Sequence, residues 1–195
     1  NATTLGAVTA SVDLAVDGGV ALNVLDGVLV AKGDFTIALG QVRSAALFSG
    51  NGQDADAMTL TLSNVGIFVG VGGGLNANGT ATDYSDDTVS NATSTATVNN
   101  GTLGFGATVT TLTLVSIKDR GASALLATDD RTYLGVALKN FDGELVGLDD
   151  LLVFHAYDVD AVINKSAHAD GVTAVTKLAS PVNKPSDAAI ESRLD

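Results

Sequence analysis

The chain contains no cysteine and no tryptophan in 195 residues, and aromatic side chains make up only 5% of it. Without cysteine there is no disulfide framework, no iron–sulfur cluster and no thiol nucleophile. Six Phe and three Tyr leave few platforms on which a sugar ring could stack. Basic residues are equally sparse: none lies between Arg43 and Lys118, where only Asp54, Asp56, Asp83, Asp86 and Asp87 carry charge. Solubility of that interval rests on Thr, Ser, Asn and backbone. The net charge of −12 argues against nucleic acid and anionic membrane surfaces as partners, since both require basic patches. Membrane insertion is not expected, because the charge-free run 88–117 is too rich in Thr, Asn and Ser to enter lipid as a helix. No signal peptide is recognisable, and a start at Asn1 rather than Met suggests a processed product or an excised piece of something longer.

Several catalytic and binding motifs are also missing. No Gly-x-Ser-x-Gly elbow exists, and Ser166-Ala-His168 is mere proximity in sequence. Gly70-Val-Gly-Gly-Gly74 has no following Lys and no βαβ context, so a strand end fits it better than a phosphate cradle. His155 and His168 stand outside any zinc spacing; His155 is expected on the apolar side of its strand as a structural residue, and His168 in an exposed loop.

What the chain does have is β-sheet material. It is 46% hydrophobic, filled by Val, Leu, Ala and Ile, with Thr, Asn and Asp at polar positions and 22 Gly. Residues branched at Cβ suit a pleated, half-buried surface. The length suffices for one large β domain or two small ones. Asn100–Lys118 is the clearest stretch. Leu103, Phe105, Ala107 and Val109 alternate with Gly104, Gly106, Thr108 and Thr110, and beyond Thr111 the apolar set moves to Leu112 and Leu114. A one-residue slip exchanges the faces of a strand, so the pattern predicts a long strand with a bulge near Thr110-Thr111. Its bare Gly104/Gly106 face is where a neighbouring sheet layer is expected to approach.

Seven Asp-Gly or Asn-Gly pairs, at 17, 26, 51, 78, 100, 142 and 170, read as hairpin turns, whose central residues need φ > 0. They divide the chain into strands near 5–16, 19–25, 28–31, 34–43, 57–63, 65–71, 88–98, 102–117, 132–139, 144–147, 151–163 and 172–178. Loops are expected at 44–56, 72–87 and 118–131, with one helical turn at 122–127. The run 133–138 is apolar on both sides and predicts a covered, central strand. The pattern stops at Pro181, and a linker, short helix or tail follows.

The chain also resembles itself. Leu25-Asp-Gly-Val-Leu-Val with Gly33–Ala45 parallels Leu148-Asp-Asp-Leu-Leu-Val with Tyr157–Ala167, and Thr4-Leu-Gly-Ala-Val parallels Tyr133-Leu-Gly-Val-Ala. This predicts the end of one repeat unit in 1–45, a complete unit in 57–167, and the start of a next unit with linker and tail in 168–195. Leu60–Leu75, Gly101-Thr-Leu-Gly-Phe-Gly with Leu114–Asp119, and Tyr133-Leu-Gly-Val with Leu145–Asp149 resemble tandem β repeats of very large bacterial exported or cell-surface proteins of the adhesin type. The likeness covers about 60–165. It implies a β module in a giant exported protein and carries no catalytic residues with it.

The expectation is therefore an all-β, elongated, repeat-built antiparallel architecture, with a β-solenoid or β-sandwich as alternatives. The expected role is non-enzymatic: a structural or adhesive module at the cell surface or outside the cell, partnered by neighbouring repeats or copies of itself. Of the acidic clusters, Asp83, Asp86 and Asp87 in a Gly/Asn loop are the best candidates for a metal, and calcium, a hard cation wanting six to eight oxygens, is the ion they would suit. Neither an EF-hand nor a Gly-Gly-x-Gly-x-Asp repeat is present. Two rival readings stay open. One is a carbohydrate- or ligand-binding domain, meeting a surface glycan through the 72–87 and 118–131 loops. The other is a self-assembling fibre or surface-layer subunit whose edges pair between chains.

Overall fold

The computed structural model describes residues 9–43, 54–90, 102–121 and 127–175. It is all-β, with strands β1 Thr9–Val24, β2 Leu29–Arg43, β3 Ala55–Val71, β4 Gly74–Asn76, β5 Thr88–Ser90, β6 Leu103–Asp119, β7 Arg131–Val146 and β8 His155–His168, and a single 3-10 turn at Ala127–Asp129. Six of them form one open antiparallel sheet in the order β1-β2-β3-β6-β7-β8, and β4 pairs with β5 in a small second sheet. The antiparallel expectation holds. Among the described residues the strands neither coil as a solenoid nor form two stacked sheets of similar size.

The strands are fewer and longer than the turn signals predict. Asp26-Gly27 closes the β1–β2 hairpin, with Leu25, Asp26 and Gly27 all at positive φ. Asn78-Gly79 turns between β4 and β5, again with both residues at positive φ, and Asp170-Gly171 turns after β8. Asp17-Gly18 and Asp142-Gly143, however, lie inside β1 and β7, paired across to β2 and β6. The segments 5–16 and 19–25 therefore merge, as do 28–31 with 34–43, 57–63 with 65–71, and 132–139 with 144–147. Neither pair takes a positive φ, and the ladders on either side carry the chain straight through as strand. Asn51-Gly52 and Asn100-Gly101 lie outside the described residues, as do Thr4–Val8, most of the 122–127 turn, most of the 88–98 strand and everything after Val175. Residues 172–175 are not a strand, and β8 begins only at His155.

The irregularities line up across the sheet. Lys32 and Asp34 share a face of β2; Lys32 pairs with Gly66 of β3, and Asp34 with Ser63. Gly66 and Ser63 are three apart yet on one face, so β3 slips by one residue at Asn64, whose φ is 53°. The same rows continue to Thr108 and Thr111 on β6 and to Asp142 and Lys139 on β7, where Asn140 takes φ 47°. On β8 the crease falls at Asp158, φ 53°. Carboxylates tie it down: Asn64 Nδ2 donates to Asp34 at 3.1 Å, Asn140 N to Asp160 at 2.9 Å, and Asp158 N to Asp142 at 2.9 Å. The face exchange expected near Thr110-Thr111 is present, and β3, β7 and β8 share it with β6.

Because of this crease the aliphatic residues stay on one side along the whole sheet. One row below it reads Leu22, Ala31, Ile67, Ala107, Gly143, Ala156, and one above reads Val16, Ile37, Leu60, Leu114, Val136, Ile163. The opposite face carries Thr, Gly and Ala in its middle, as in Thr36, Thr61, Thr113, Ala137.

Cover is unevenly distributed. Fully buried Val30, Phe68 and Val146 lie on the Thr/Gly face at one end, beneath the β4–β5 excursion, while Ala55, Ile117 and Tyr133 form a cluster on the same face at the other, joined by Val175 folding back after β8. The Phe68 ring sits against Gly70, Gly73 and Gly104; a Cβ at Gly104 would lie 2.6 Å from it. What approaches the bare Gly104/Gly106 face is thus a side chain of the neighbouring strand under a two-stranded flap, in place of the expected sheet layer. Among the described residues, cover on the aliphatic face is confined to one corner, where Leu145 N bonds Phe154 O at 3.1 Å and the Phe105 and Phe154 rings are 6.4 Å apart. Elsewhere that face stands open, with Leu22, Val20, Val69, Leu39 and Met58 exposed among others. The 133–138 run, expected to be central and covered, lies in β7, an interior strand beside β8 at the end of the described sheet, with its Tyr133 and Ala137 side buried and its Leu134 and Val136 side not fully so.

Candidate functional site

The acidic segment predicted to hold a metal leaves β4, turns at Asn78-Gly79 and returns across the Thr/Gly face into β5. Two of its three candidate carboxylates shape turns. Asp83 Oδ1 accepts from the Ser85 amide at 2.9 Å and hydroxyl at 2.6 Å, and these bonds, the hydroxyl's first, hold its carboxyl below the usual range. Asp86 Oδ1 accepts from the Thr80 hydroxyl at 2.9 Å, closing a loop already made by Thr80 N to Ala77 O at 2.8 Å. Asp87 points the other way. It is only 3% exposed and lines a cleft of about 500 Å³ with Lys32, Asn64, Gly66, Thr88 and Thr108. Its Oδ1 has no hydrogen-bond partner among the described residues. The three do not converge on one point, and among the described residues no group of three or more His, Cys, Asp or Glu is placed to hold a metal ion.

Lys32 fastens this segment to the sheet, its Nζ donating to Ser85 O at 2.8 Å. It is the sole basic residue before Arg43 in the sequence and stands between Ala31 and Gly33 in β2. That isolation was the readable sign of a cross-element contact, though only the fold reveals the contact. Lys32, Gly66, Thr108 and Asp142 form one transverse row, and Val30, Phe68, Gly106, Glu144 and His155 form the next. Glu144 is buried, and its Oε2 lies 3.4 Å from His155 Nδ1. His155 therefore sits on the Thr/Gly face beside a carboxylate, in place of the apolar side expected for it. The physical reason is the late start of β8 and its irregular pairing between Ala156 and Val159. A second, smaller cleft of about 340 Å³ opens there between Asp142, His155, Tyr157 and Asp158.

His168 ends β8 with its Nδ1 3.1 Å from Asp170, so it belongs to a strand end and not to a loop. The Asp170 carboxyl is held well below its ordinary range, chiefly by the Thr173 hydroxyl and then by the Thr173 and Val172 amides. Ser166, two residues from His168, donates its hydroxyl to Val175 O at 2.9 Å. At the far end of β6, Asp119 is fully buried opposite Arg131, and burial raises its carboxyl above the ordinary value despite the 3.0 Å bond from Gly121 N.

No family model, curated protein or solved structure matches the chain. What the geometry offers is a polar cleft under a pinned flap on one face and a broad open aliphatic surface on the other. The two segments that resemble each other in sequence occupy equivalent places. Leu25-Asp26-Gly27 and Leu148-Asp149-Asp150 each lie in the connection of a hairpin, and 33–43 and 157–167 each lie in its second strand.

Proposed function

We propose that the chain is a non-enzymatic structural module of a large bacterial extracellular or cell-surface protein, one of a series of β units that cover one another. The observation that supports this best is the open aliphatic face. A sheet must bury its apolar side against another layer. Five interstrand steps of about 4.8 Å and a length of about 33 Å along the strands give that face roughly 800 Å² in plan. Monomeric soluble proteins seldom expose contiguous apolar patches above about 300–600 Å², and a standard interface takes about 800 Å² from each partner. Charges are absent from its centre; Lys165, Lys118 and Asp56 stand at one rim. The surface location draws on the acidic, cysteine-free composition and on the resemblance to exported β repeats.

Light scattering across a concentration series tests the reading. The chain should associate, and Leu39→Glu with Met58→Glu should return it to a monomer that is still folded. Those side chains are 38% and 36% exposed in the single sheet, so a charge there costs the monomer little. A wild-type chain that stays monomeric, or that turns over a substrate or binds a glycan through the 72–87 segment, would defeat it. Thermal unfolding with and without EDTA reads the part of calcium: stiffening through Asp83, Asp86 and Asp87 requires the midpoint to fall when EDTA is added.

A further inference from the structure

Among the described residues the sheet ends in two long strands, β1 and β8, each paired on one side, and its own topology indicates what belongs beside one of them. β2 and β8 run in the same direction, each the second strand of a hairpin. Phe35, Ile37 and Leu39 stand on the aliphatic face of β2; at a constant offset of 124 residues, Val159, Ala161 and Ile163 stand on the aliphatic face of β8. Asp34 at the crease corresponds to Asp158, also at the crease. β2 and β8 differ in what lies beyond them. The far edge of β2 is taken by β3 along almost its whole length, from Leu29 opposite Val69 to Val42 opposite Ala55. Among the described residues, nothing pairs with the far edge of β8. The strand is 14 residues long and contains no proline, so its outer side can serve as a template for another strand.

We infer that the far edge of β8 is the docking site for a β3-like strand of a following unit, so that the sheet continues sideways from unit to unit. By the same correspondence β1 plays the part of β7, whose second neighbour is β6, and its free edge receives the β6-like strand of a preceding unit. Each unit then adds four long strands, equivalent to β3, β6, β7 and β8, to one ribbon. Its aliphatic face is continuous across unit boundaries, and a β4–β5 flap recurs on the other side. This inference rests on the module reading above and adds the mode of connection.

The test compares the 195-residue chain with one in which residues 44–167 are repeated after Ala167, read by hydrogen exchange resolved to single amides. In the single chain the outward-facing amides of β8 should exchange fast, and in the extended chain they should slow by about tenfold or more, toward the behaviour of β2. Outward amides that stay fast while the second copy's β6–β7 amides are protected would show independent folding units and overturn the inference. A second copy left unprotected throughout overturns it as well, since β8 is then no template. In both cases, if the Leu39→Glu, Met58→Glu chain still loses self-association, the covered-face reading survives and only the sideways connection is lost.

Discussion

Replacing Phe68 with Ala probes the most fully buried ring among the described residues. Phe68 is fully buried, and its ring is held between Gly70, Gly73 and Gly104, whose backbones already limit approach: a Cβ at Gly73 would lie 2.5 Å from the ring. Losing the ring forfeits roughly 2 kcal/mol of transfer energy. It also leaves a void of about 100 Å³, worth roughly 2 kcal/mol more at the unrelaxed rate. Relaxation should recover little, because the walls are main chain bonded into ladders and no side chain on these glycines can swing in. The expected loss is therefore about 4 kcal/mol, toward the upper part of the range for such truncations. With a urea dependence of about 2 kcal/mol per molar, the unfolding midpoint should fall by about 2 M. Phe68→Leu, which keeps most of the volume, should cost about 1–1.5 kcal/mol. A loss below about 1.5 kcal/mol for the Ala variant would show that the β4–β5 flap collapses onto the sheet, and that the glycine cage is not what fixes the ring.

Two further outcomes follow from particular contacts. Gly27 and Gly79 both have φ near +90°, but a Cβ at Gly27 would lie 2.2 Å from Gly73 O whereas Gly79 faces open space; Gly79→Ala should cost about 1–2 kcal/mol in thermal or urea unfolding and Gly27→Ala clearly more, and equal losses would deny the contact between the first hairpin and the flap. The Asp119 carboxyl is raised above 3.8 by burial, so the folded chain holds that proton more tightly than the unfolded one. Its contribution is therefore full below the ordinary value and is lost as pH rises through the raised one. Asp119→Asn should gain stability over the wild type progressively across that window in urea titrations, and a pH-independent difference would refute the assignment.

The sequence showed the face exchange on β6 because its apolar residues change parity between Val109 and Leu112, and the register of three strands agrees with it. It misread Asp17-Gly18 and Asp142-Gly143 as turns, since local chemistry that tolerates positive φ does not say whether a ladder continues on both sides. It could not show that the Thr/Gly face would be the covered one. That depends on where residues 72–90 travel after leaving β3, a long-range outcome that alternation cannot encode. The site suffered similarly. Asp83, Asp86 and Asp87 look alike in sequence, yet two cap turns and the third is buried beside Lys32 because Ser85 O takes that ammonium.

The crease has a consequence for how such a chain finds its alignment. Thr, Val, Leu and Gly recur so evenly here that many offsets between neighbouring strands would look nearly equivalent in pairing. A sheet of this kind is prone to slippage. The irregularities at Asn64, Thr110 and Asn140 remove that degeneracy. If one strand slid by a residue, its kink would leave the common line, and the Thr of its Thr/Gly face would be driven onto the aliphatic side while its Leu and Val left it. Three interior strands must therefore agree on one position before any of them can settle. The crease acts as a vernier mark, giving a monotonous sequence a single reading.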